Sequence, residues 1–229
     1  MSPFTKAGCI GLAATLMVIS GAAVQSAAAV DALGQGTPFG DGTVEAGSQK
    51  AATCSACHGP NGNSTNTQWP KIAGQNATYM AEQLKLFKSG VRVNPDMLKM
   101  AGMLSDKDID SVAVYFQAQT PVGGEADAAM VQAGENLYRF GDPAREIPAC
   151  TACHGPVGRG NTLADFPQLR AQFADYVAKQ LNDFASGARY SGAKPGAPTS
   201  RNGEMMATIA KRLNASDIKE LAAYVQGMR

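Results

Sequence analysis

The sequence predicts an all-α chain built from two small tandem domains, on three observations. A block of 21 residues returns at a constant offset of 97, and a second block with helical periodicity returns at an offset of 109. No stretch alternates apolar and polar residues over the length of a strand. At 45% apolar and 17% charged residues, the chain can bury a core and is not of the disordered class.

The first 29 residues stand apart. One lysine, Lys6, precedes an apolar run from Ala7 to Val24 and then small residues ending at Ala29, the pattern of a secretory signal cleaved near that point. A membrane anchor needs roughly 20 apolar residues; this run is shorter and rich in Gly and Ala, so cleavage is the expectation. Cys9 lies within the segment, preceded by a charge, and reads as a small residue of the signal. Without residues 1–29 the chain carries 19 basic and 19 acidic side chains and four cysteines. So balanced a chain lacks the electrostatic footprint of a nucleic-acid binder.

Residues 30–120 form the predicted first domain and residues 121–229 the second. Pro70 to Gly90 and Pro167 to Gly187 agree at ten of 21 positions, among them Tyr79/Tyr176, Gln83/Gln180, Leu84/Leu181 and Phe87/Phe184. These residues predict one helix in each copy, closed by Gly90 and by Gly187. In the other block, Ser105 and Asp108 make a capping box, and Ile109, Val112, Ala113 and Phe116 then fall on one helical face. Asn214 followed by Ile218, Leu221, Ala222 and Val225 repeats it. Thr120 to Glu125, with a proline and two glycines, reads as a short linker, so the two domains are expected to pack together. The second copy adds residues 141–149 and a Gly/Pro/Ser-rich stretch, residues 191–204, both read as surface loops.

The chain has two histidines, His58 and His154, and each directly follows a Cys-x-x-Cys, Cys54/Cys57 and Cys150/Cys153. Two disulfides would leave the histidines unexplained. A thioredoxin-like motif wants a βαβ pattern that is missing, and a four-cysteine zinc site would leave both histidines spare. Covalent attachment of a c-type haem uses every residue: two thiols form thioethers to one porphyrin, and the next imidazole faces the iron. Two haems would also supply the bulk that such small helical cores lack.

With both histidines used, the sixth ligand of each iron falls to methionine, which raises the reduction potential. At the offset of 109 only Met97 and Met206 keep methionine in both copies, seven residues before Leu104 and Leu213. They are the predicted axial ligands, with Met100 and Met205 as fallback positions. Pro70 and Pro167 lie 12 and 13 residues after their histidines. On spacing alone, each is equally a loop turn or the carbonyl partner of the imidazole.

These features together, including "PKIAGQ" after the first motif and "LSDKDI" before a closing helix, resemble the cytochrome c4 family of dihaem class I cytochromes c over essentially the whole chain after the signal. The resemblance implies two class I cytochrome c folds, each wrapped around a covalently bound haem and related by a pseudo-twofold. It implies His58/Met97 and His154/Met206 ligation, and carbonyl partners at Pro70 and Pro167. The second copy departs from the pattern by placing Ala171 where the first has Gly74.

The function so implied is a periplasmic electron carrier between a quinol-oxidising respiratory complex and a terminal oxidase. It is expected to act as a monomer that docks on redox protein partners through an apolar haem edge and can associate peripherally with a membrane. No catalytic residue is assigned, since six-coordinate iron leaves no open position. The rival reading is the cytochrome subunit of a dehydrogenase, or a dihaem redox enzyme with one labile axial ligand.

Overall fold

Thr43 accepts a hydrogen bond from the amide of Ala46 and so starts the first helix, α1 (Val44–His58). The structure, a computed structural model, describes Met1 and residues 42–194 and 199–229. The signal segment and its cleavage near Ala29 lie outside the described residues. After α1 come α2 (Ala77–Lys88), α3 (Pro95–Gly102) and α4 (Asp106–Gln117). The second half repeats the set as α5 (Val131–Phe140), α6 (Thr151–His154), α7 (Ala174–Ser186), α8 (Arg201–Ala210) and α9 (Ala215–Gly227). Among the described residues the only β-pairing is two isolated antiparallel bridges.

The predicted capping box of Ser105 with Asp108 forms, and Asn214, the predicted cap of the second copy, completes another with Asp217. The serine bonds hold the Asp108 carboxyl down at about 2. The helices α2 and α7 start differently, without a cap of their own. The amide of Ala77 donates to Gln117 Oε1 at 2.8 Å and that of Ala174 to Gln226 Oε1 at 2.9 Å, so the closing helix of each half caps its neighbour. The expected glycine stop holds for α7, where Gly187 follows directly at φ 79°. In the first copy α2 ends at Lys88 and Gly90 lies two residues beyond.

In each half the first helix crosses the last, α1 on α4 and α5 on α9. Gly47 and Gly134 make the crossing possible, because a Cβ on either would run into the backbone carbonyl of Ser111 or of Glu220. Ile109, Val112 and Phe116 lie at 2% exposure or less in the first core, in company with several alanines. Leu137, Tyr138, Ile147, Leu221, Tyr224 and Met228 form the second core.

The insertion at 141–149 is more than a surface loop. A bridge between Asp142 and Ile147 closes it, Ile147 is buried in the second core, and Arg145 holds Asp217 through two bonds of 2.6 and 3.1 Å. It divides the counterpart of α1 into α5 and α6. Of the other insertion, residues 201–204 open α8 rather than remaining loop, with Ser200 accepting from the amide of Gly203.

The linker is pinned along its length. Asn63 bonds Thr120 and Val122, Lys71 donates to the Val122 carbonyl, and Gln226 donates to the Glu125 carbonyl. Asn76 Nδ2 reaches the Phe166 carbonyl at 2.6 Å and Thr78 the Thr162 carbonyl at 3.1 Å, tying α2 to the second half.

Gly74 has φ 69° and its counterpart Ala171 φ 63°, so the second copy keeps a left-handed turn with a side chain that disfavours it. A Cβ on Gly74 would sit 2.9 Å from Pro121 Cδ. Gly74→Ala is therefore expected to cost about 1–2 kcal/mol of unfolding free energy. Thermal or urea denaturation measures it, and an unchanged midpoint would show that the first copy tolerates the turn as the second does.

Candidate functional site

Cys54, Cys57 and His58 occupy the last turn of α1, so one helical segment presents two thiols and an imidazole. Cys54 packs on the first core, Cys57 is exposed and His58 is buried. In the second half Cys150 begins the single turn of α6, which carries Cys153 and His154; Cys150 packs on the second core and His154 is buried. Tyr138, at 0% exposure, donates to the Gly155 carbonyl at 2.7 Å and fixes the turn after His154.

Each histidine is held by the proline that spacing alone left undecided. His58 Nδ1 donates to the Pro70 carbonyl at 2.8 Å and His154 Nδ1 to the Pro167 carbonyl at 2.9 Å. Because a carbonyl only accepts, the proton resides on Nδ1 and the Nε2 lone pair is left for a metal. Burial lowers the pKa of both imidazoles against the opposing effect of these bonds, which favours the neutral ligand form.

The four thiols are unpaired. Burial raises the Cys54 thiol and pushes Cys150 up to about 11, the reverse of the low pKa that thiol redox catalysis requires. Among the described residues no group of three or more His, Cys, Asp or Glu side chains is assembled that could hold a metal, so the four-cysteine zinc alternative is not formed.

Met97 lies in the first turn of α3 and Met206 in the middle of α8, both half-buried. These helices pack on α2 and α7, on different elements from the cysteine motifs. Of the fallback positions, Met100 is also half-buried, whereas Met205 is 41% exposed.

The sequence reading missed a buried polar cluster between the two halves. Arg92 donates to Gln83 Oε1, to Tyr176 Oη and to Gln180 Oε1, each at 2.9 Å. Arg189 answers with bonds to Tyr79 Oη at 2.6 Å, to Gln83 Oε1 at 3.0 Å and to Gln180 Oε1. The guanidinium carbons stack 4.4 Å from the Phe87 ring and 4.5 Å from the Phe184 ring. Every pair here, Arg92/Arg189, Gln83/Gln180, Tyr79/Tyr176 and Phe87/Phe184, obeys the offset of 97. Arg92 is 8% exposed and Arg189 4%, and among the described residues neither has a carboxylate partner. The signal that could have found them was the repeat itself, continued two residues past Gly90.

Comparison with known proteins finds the same doubling of the chain. The family model described as Cytochrome c matches residues 44–120 and 131–229, one match to each half. The chain is 44% identical over 196 residues to cytochrome c4 of Azotobacter vinelandii, covering 82% of this chain and 90% of that protein. The crystal structure of reduced recombinant cytochrome c4 from Pseudomonas stutzeri superposes with a TM-score of 0.75 at 41% identity, over 82% of this chain and all of that one. A thiosulfate dehydrogenase electron acceptor of Stutzerimonas stutzeri (strain A1501) is 34% identical over 179 residues, covering 76% of this chain and 78% of that protein.

Proposed function

Since the chain belongs to the cytochrome c family, and within it to the dihaem electron carriers of the cytochrome c4 kind, we propose that it carries one haem c on Cys54, Cys57 and His58 and another on Cys150, Cys153 and His154. We propose further that it works in the periplasm between a quinol-oxidising complex and a terminal oxidase. The observation that carries this is the pair of Nδ1 to carbonyl bonds, which leaves one buried imidazole nitrogen free beside two unpaired thiols in each half.

The donor set fits the group. Thioethers on Cys54 and Cys57, and on Cys150 and Cys153, would hold each porphyrin; His58 and Met97 would ligate the first iron, and His154 and Met206 the second. A porphyrin carries carboxylates, anions of the kind that would offset the buried cationic pair Arg92 and Arg189. When bound, haem supplies one-electron exchange between ferric and ferrous iron. The chain fixes the imidazole rings through Pro70 and Pro167, buries both histidines, and ties the two halves together.

The test is a visible spectrum of the reduced, purified protein before and after carbon monoxide. An unchanged spectrum with two haems per chain is expected of a carrier with six-coordinate iron. A shift in about half of the haem would overturn that reading in favour of an enzyme with one labile ligand. The likeness to the thiosulfate dehydrogenase electron acceptor favours a second donor, a thiosulfate-oxidising enzyme. Fast reduction by such an enzyme and slow reduction by a quinol-oxidising complex would select it.

A further inference from the structure

Two hydrogen-bonded lines run from the histidines across the interface, each passing through a single peptide unit. The Pro70–Lys71 peptide accepts from His58 Nδ1 on its carbonyl at 2.8 Å, and its N–H, that of Lys71, donates to Gln172 Oε1 at 3.0 Å. The Pro167–Gln168 peptide accepts from His154 Nδ1 at 2.9 Å, and its N–H, that of Gln168, donates to Gln75 Oε1 at 2.8 Å. Each glutamine belongs to the opposite half. A second bond locks each amide: Gln172 Nε2 donates to the Lys71 carbonyl at 2.8 Å and Gln75 Nε2 to the Gln168 carbonyl at 3.0 Å. With both amide atoms engaged, the orientation that puts Oε1 on the peptide N–H is fixed.

The geometry points to Gln172 and Gln75 as positioning residues that tune the iron ligand of the other half: Gln172 acts on His58 and Gln75 on His154. This rests on the haem reading above. A hydrogen bond accepted from a peptide N–H polarises that peptide, and its carbonyl oxygen becomes a better acceptor. A stronger bond at Nδ1 makes the imidazole a more basic ligand, which favours ferric over ferrous iron and lowers the potential. Each centre is thereby set partly by a residue of its neighbour. An interface whose glutamines were only adhesive would need no such register on the two peptides that hold the histidines.

The test is a redox titration of the full-length holoprotein with Gln172→Leu and Gln75→Leu, each haem followed by its own NMR signals. With Gln172→Leu, the reduced-to-oxidised ratio of the His58 haem at fixed potential is expected to rise about threefold, a shift of about 28 mV at 59 mV per decade for one electron. Its His58 Nδ1 proton should move upfield in the reduced protein while the His154 signals stay in place. Gln75→Leu should do the converse. No shift, equal shifts in both haems, or a shift in the haem of the mutated half would overturn the proposal. Should Gln172→Leu fail to accumulate, Gln172→Met carries the same test with a side chain closer in length. A wild type without two attached haems per chain would defeat the haem reading instead, and a haem assay separates the two failures.

Discussion

Met206→Ala is expected to leave both haems attached while opening the second iron to external ligands, so that carbon monoxide shifts about half of the reduced haem. On the proposed assignment, attachment would depend on Cys153 in α6 and Cys150 just before it, whereas the methionine sulfur would come from α8, so one bond could be lost without the other. Removing that sulfur would take away the ligand that raises the potential and should lower that of the His154 haem, a change opposite in sign to that expected of Gln75→Leu and much larger, since axial ligands set potentials over about 0.8 V. The packing loss of a half-buried Met→Ala change adds about 2 kcal/mol, the low end for such truncations. Met97→Ala should do the same to the His58 haem. Met205→Ala is the control: its side chain is 41% exposed and its removal should leave the spectrum unchanged. A silent Met206→Ala with a responsive Met205→Ala would move the ligand by one residue.

Elements specified by neighbours in the chain were legible in advance, and those specified by neighbours in space were not. Ser105 and Asp108 cap α4 through residues three apart, so the box could be read directly. The caps on α2 and α7 come from Gln117 and Gln226, 40 and 52 residues away, and no local pattern announces them. The same holds for Gln75 and Gln172. Both stand at matching positions of the repeat, yet identity at the offset of 97 shows only that something is shared. The shared feature proves to be a bond to the opposite half, 93 or 101 residues away. Gly47 and Gly134 escaped for another reason: they are 87 residues apart, outside both offsets, because the insertion at 141–149 lies between them and the rest of the repeat. That insertion was itself misread. Its Gly, Asp and Pro suggest a solvent loop, but Ile147 enters the core and Arg145 anchors to Asp217, which only a tertiary partner could reveal.

Arg189→Ala should be the most damaging change at the interface, costing about 2–4 kcal/mol, because it deprives the buried Tyr79 hydroxyl and the carboxamides of Gln83 and Gln180 of a charged donor. An opposing effect must be weighed. Two guanidiniums buried at one interface repel each other, and deleting one relieves that repulsion. Arg189→Met, which keeps apolar length over the Phe184 ring but removes the charge, separates the two contributions. If the pair has no anion to balance it, Arg189→Met should be near neutral or stabilising, as replacements of buried charges by apolar side chains often are. If porphyrin carboxylates face the pair, the variant strands a negative charge at a buried site. It should then destabilise the holoprotein and lower the haem potentials, because losing a nearby positive charge favours the more positive, oxidised iron. Urea denaturation and a redox titration of this variant read both signs. Stabilisation with unmoved potentials would remove the porphyrin edges from the interface, and destabilisation with lowered potentials would place the charge of both centres on one buried cationic pair.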